Sequence, residues 1–113
     1  MQQPAWTKEF PCAITVCDAD GIIVDMNDAS LETFRADGGA SLLGTDVRAC
    51  HPEPARTVLE GLLRNGSSNV YKIEKAGRKK LICQMPWYEA GRFAGLVEIS
   101  IVLPDSMHHY KLH

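Results

Sequence analysis

The sequence predicts an α+β domain, a five-stranded antiparallel sheet with its helices packed on one face. Three observations lead there. Five short runs read as strands, two of them alternating with period two, tight turns join the first two runs and then the last three, and one amphipathic helix stands between the groups. Hairpin connections make neighbouring strands antiparallel, and a helix with one apolar stripe must bury that stripe against the sheet.

Gln2 to Phe10, with Ala5, Trp6 and Phe10 among polar residues, reads as a short helix or arm ended by Pro11. Ala13 to Cys17 and Ile22 to Met26 form the first hairpin, turning through Asp18-Ala-Asp-Gly21. Asn27 or Asp28 caps a helix over Ala29 to Phe34, and an irregular stretch with Gly38, Gly39 and Gly44 follows. Glu53 and Pro54 suit the first turn of a helix running to Arg64, in which Ala55, Val58, Leu59, Leu62 and Leu63 make a regular stripe that Asn65-Gly66 stops. Asn69 to Lys75, Lys80 to Tyr88 and Gly95 to Leu103 are the remaining strands. The last is the central one, and its wholly apolar face, Val97, Ile99 and Ile101, is expected to meet the helices, leaving Leu96, Glu98 and Ser100 outward.

At 113 residues the chain has room for one domain, and 45% hydrophobic with 23% charged residues is a globular composition. A net charge of -2 gives no general attraction to nucleic acid or anionic membranes. No apolar run approaches the roughly 20 residues that span a bilayer, and the N-terminus lacks a basic region followed by an apolar core, so a cytoplasmic location is expected. Cys12, Cys17, Cys50 and Cys83 are scattered without a framework spacing and read as reduced thiols.

Three pieces, in order, carry a family resemblance. Ala13-Ile-Thr-Val-Cys-Asp-Ala-Asp-Gly-Ile-Ile-Val-Asp-Met-Asn27, Leu42-Leu-Gly-Thr-Asp-Val47 and Gly91-Arg-Phe-Ala-Gly-Leu-Val-Glu-Ile-Ser-Ile101 resemble the opening hairpin, the leucine-leucine-glycine turn and the last strand of PAS (Per-Arnt-Sim) sensor domains. The resemblance spans about Phe10 to Leu103 and implies a sensing or protein-interaction module that encloses a small cavity and often dimerises. On it, residues 1–10 are an arm, 11–104 the PAS domain and 105–113 a tail. Pro104-Asp105-Ser106 departs from the family's Asp-Ile-Thr junction, and no output domain is expected after it.

Fold alone leaves the ligand open. The expected cavity wall is Cys50, His51, Tyr71, Cys83, Met85, Trp87 and Ile99, although for Tyr71 and Trp87 a plain core role is the commoner use. Pro86 interrupts the ladder and leaves the inward register of Trp87 open. Trp6, Phe10, Leu96 and Glu98 are the expected dimer surface, covered by a twofold partner or by the chain's own arm.

Cofactor identity stays open, with haem and flavin not favoured. Val47 stands where light-sensing relatives place their reactive cysteine, and the long helix offers no histidine to a haem iron, so that only His51, just before it, could aim inward. His108, His109 and His113 lie in the tail and do not suggest a metal site. The lysine and arginine cluster around Arg78 reads as edge-strand protection. No catalytic motif is visible, and an enzyme built on Cys50 and His51 would require a depressed thiol pKa. The expected function is a non-enzymatic sensor that binds a small molecule and signals through a second copy or a separate signalling protein. A ligand-free dimerisation scaffold with a filled core is the alternative.

Overall fold

The first hairpin forms as the turn residues dictate. β1 (Ala13–Asp18) turns through Gly21, whose φ of +86° suits a residue without a Cβ, into β2 (Ile23–Met26). The Asp18 carboxylate holds the turn by accepting the backbone N–H groups of Asp20 at 3.0 Å and Ile22 at 2.9 Å. The computed structural model describes residues 5–113, so the first four residues of the expected arm lie outside the described residues. The described part of that arm is α1 (Ala5–Lys8).

Asn27 caps α2 (Asp28–Thr33), its side-chain oxygen accepting the Ser30 N–H. Short 3₁₀ turns at Arg35–Asp37, Gly39–Leu42 and Val47–Cys50 fill the irregular stretch. α3 (Ala55–Asn65) follows a cis Glu53-Pro54 bond and ends on Gly66 in the left-handed conformation. Its stripe buries Leu59, Leu62 and Leu63, each contributing about 2 kcal/mol of burial.

β3 (Asn69–Lys75), β4 (Arg78–Glu89) and β5 (Arg92–Val102) are joined by two-residue Ala-Gly turns. Ala76 and Gly77, like Ala90 and Gly91, all have positive φ, the geometry that matches the twist of a tight hairpin. The five strands lie in the order β2-β1-β5-β4-β3, antiparallel throughout, with β5 central as expected. Among the described residues no helix is long and apolar enough to cross a membrane.

The register corrects the expected orientation of β5. Leu96, 3% exposed, packs with Cys17, Ile23, Val47 and the three α3 leucines in the core, so the Leu96, Glu98 and Ser100 face points toward the helices. Val97, Ile99 and Ile101 face the other way. Residues opposite one another in an antiparallel pair share a face, and Ile14, Ile99, Cys83 and Val70 form one outer row while Val16, Val97 and Met85 form the next. The most apolar face of the central strand therefore lies outside. The mixed face turns inward because half of it builds core and the other half lines a cavity.

Candidate functional site

The inner face of the sheet divides along its length. At one end Cys17, Ile23, Met26 and Leu96 complete the core beneath α3. At the other end Thr15, Glu98, Ser100, Ile82 and Tyr71 lie side by side in register across four strands and floor a cavity of about 190 Å³. Phe34 and Asp37, just after α2, and Cys50 and His51, at the end of the last 3₁₀ turn, form its opposite wall. Lys75 and Lys80 line it at the β3–β4 hairpin end.

His51 and Glu98 face each other inside it, with side chains 14% and 19% exposed. The His51 ring is oriented by its Nδ1, 2.9 Å from the Val47 carbonyl oxygen, which leaves Nε2 toward the cavity. Nε2 stands 3.7 Å from Glu98 Oε1, an ion-pair separation and long for a hydrogen bond. The same carboxylate oxygen accepts from Gln84 Nε2 at 3.1 Å. The Glu98 carboxylate raises the His51 pKa above the ordinary 6.5, burial opposes that rise, and the Val47 carbonyl adds to it. Burial, reinforced by Glu98, also raises the Tyr71 phenol.

The sign of the pH effect follows. Because the folded pKa of His51 is raised, the stability it adds is fully present below the unfolded value near 6.5 and is lost as the pH rises through the folded value. In Glu98→Gln, burial remains and the attraction is gone, so the His51 pKa should fall, and stability should lose its decline over that window. Proton NMR titration of the imidazole alongside urea melts at several pH values checks both; an unchanged His51 pKa in the variant would refute the pairing.

No family model matches the sequence, and no curated protein matches it. Solved structures do. The PAS domain of BvgS from Bordetella pertussis superposes with a TM-score of 0.65 at 24% identity, covering 88% of this chain and 82% of that one. The PAS domain of the histidine kinase ThkA gives 0.66 at 19% identity, covering 80% and 97%. The chain has the PAS fold. A third similar structure, the Aer2 receptor from Vibrio cholerae, described as a dual PAS-heme oxygen sensor, gives a TM-score of 0.63 at 18% identity over 82% of this chain and 95% of that one.

Within this PAS fold the expected wall residues part company. Cys50, His51 and Tyr71 come together on the cavity. Cys83, Met85 and Ile99 do not, because the register places them in the outer rows. Trp87 does not either. It follows the same alternation and donates its indole N–H to the Cys17 carbonyl oxygen at 3.0 Å, pinning β4 across β5 to β1. Of the expected dimer surface, Leu96 is core and Glu98 is cavity floor, so neither lies on the outer face. Trp6 and Phe10 are exposed and meet edge to face at 5.7 Å. Thr15, Ser100, Asp37, Lys75 and Lys80 were not among the expected wall residues. A glutamate and a serine alternating within an otherwise apolar central strand were the signal for that half of the site.

The site's chemistry narrows what it can hold. Cys50 is exposed, and its thiol pKa is raised by burial, by Asp37 and by Glu98, the reverse of what a nucleophilic thiolate needs. Val47 is a buried core residue. For haem the fit is poor. His51 Nε2 already faces a carboxylate, and 190 Å³ lies below the roughly 300–1,000 Å³ of pockets for drug-sized ligands. Among the described residues no group of three or more His, Cys, Asp or Glu is placed to hold a metal ion.

Proposed function

We propose that this chain is a non-enzymatic PAS sensor module that binds a small polar metabolite in the cavity lined by Glu98 and His51 and passes its occupancy on by protein-protein contact. The inward turn of the mixed face of β5 carries this reading: it sets a mostly buried carboxylate, an imidazole and hydroxyls around one cavity. A filled scaffold core would be expected to place Val97, Ile99 and Ile101 there instead. Polar groups converging on a small concavity are what orient a ligand. The fold is shared with domains of histidine kinases and receptors, which supports a signalling role.

The outer rows supply the contact surface. Met85 is 45% and Val70 51% exposed, and both continue the Val97 and Ile99 rows, a surface suited to a second copy or to a separate signalling protein. Ligand and partner surfaces thus share one strand, β5, with alternate residues on opposite faces.

A thermal-shift screen of polar metabolites tests the reading. A compound at about 100 times its Kd adds about 2.7 kcal/mol, and for a domain of this size that raises the Tm by roughly 10 °C or more. The expected result is such a rise for at least one compound, lost in Glu98→Ala. No rise with any compound, together with a native mass equal to bare polypeptide, would favour the ligand-free scaffold.

A further inference from the structure

Charge in the cavity is sorted along the sheet. Glu98 sits at the inner end, between Thr15 and Gln84 in register, with Ser100 next on its own face. Lys80 pairs with Val102, further along β5 toward the hairpin, and Lys75 lines the cavity from the adjoining strand. A strand rises about 3.3 Å per residue, so the Glu98 and Lys80 backbone levels lie roughly 13 Å apart, a gap that the flexible lysine stem shortens for its ammonium group.

Each end suits a different partner. The Thr15 hydroxyl is paired with Ser30, so the Glu98 carboxylate and the Ser100 hydroxyl next on its face are the acceptors for the N–H donors of an ammonium group. Two lysines offer point charges to an acid group. Resting on the sensor reading above, we propose that the cavity's ligand is dipolar, with a primary ammonium on Glu98 and an acid group held by Lys75 and Lys80, spaced more widely than in an α-amino acid. His51 then acts as the counter-ion of Glu98 in the empty cavity, and the ligand's ammonium takes its place. The other titratable groups facing that space are Asp37, Cys50, Tyr71, Lys75 and Lys80. A proton on His51 opposes the incoming cation, so binding weakens as the pH falls through the His51 titration.

Calorimetric titration with five probes tests this: glycine, 4-aminobutanoate, 6-aminohexanoate, butylamine and butanoate. One of the two long dipolar probes should bind at least about tenfold more tightly than the other three, the scale of one charge-assisted contact. Glu98→Gln should remove about tenfold of that affinity, as should the Lys75→Met, Lys80→Met pair, with each variant's Tm confirming that it is folded. Equal binding of butylamine or butanoate, or full affinity in Glu98→Gln, would overturn the proposal. If none of the five binds while a neutral metabolite raises the Tm in a Glu98-dependent way, the dipolar assignment falls and the sensor reading stands. If nothing binds at all, both fall.

Discussion

Asn27→Ala is expected to lower stability by about 4 kcal/mol, because this one side chain satisfies backbone groups from three segments. Asn27 is 1% exposed. Its Oδ1 accepts from the Ile14 N–H at 2.9 Å and the Ser30 N–H at 3.0 Å, tying β1 to the start of α2. Its Nδ2 donates toward the carbonyl oxygens of Cys12 at 2.8 Å and Thr7 at 3.0 Å, holding the N-terminal arm against the sheet. Alanine leaves the Ile14 and Ser30 donors unpaired in a site closed to water, at about 1–3 kcal/mol each, and the lost Ser30 contact is itself the cap of α2. Urea denaturation reads the loss directly. A change below about 1 kcal/mol would mean that the arm and α2 are held by other contacts.

Gly95→Ala should be comparably severe, at about 3 kcal/mol or more. Gly95 has a φ of +143°, and a Cβ built there would overlap the Cys17 carbonyl oxygen and the Asp18 backbone. The close approach has a structural use. Gly95 lies opposite Asp18 on β1 and Trp87 on β4, where the Trp87 indole reaches the Cys17 carbonyl. A methyl group would push β1 from β5, break that hydrogen bond and disturb the core residue Leu96 beside it. The indole should report the event as a shift in tryptophan fluorescence alongside the lower Tm. An alanine variant as stable as the parent would show that the two strands separate at little cost.

Much of the fold was legible because its signals are local. Gly21, Gly66 and Gly91 stand where the chain needs positive φ, Asn27 where a helix needs a cap, and the α3 leucines at helical spacing. Strand orientation was not legible by the rule that the most apolar face is buried. Val97, Ile99 and Ile101 outweigh Leu96, Glu98 and Ser100 in hydrophobicity, yet the latter face inward. Periodicity tells which residues share a face and not which face meets the helices. One inverted face carried the rest of the error with it. Ile99 was assigned to the cavity and Leu96 and Glu98 to the surface, and Cys83 and Met85 were misplaced because they pair with Ile99 and Val97. His51, Cys50 and Tyr71 do line the cavity, and their placement does not depend on the face of β5.

On the proposed reading, the polar inner face of β5 is the binding face and the apolar outer face the contact face. Chemical-shift mapping of the isotope-labelled protein, titrated with a low-molecular-weight cell extract and then with its active fraction, tests this most directly. Perturbations should cluster on Thr15, His51, Tyr71, Glu98 and Ser100, leaving Val16, Met85 and Val97 near their starting positions. Shifts confined to Val16, Met85 and Val97, or no shifts with any fraction, would contradict it.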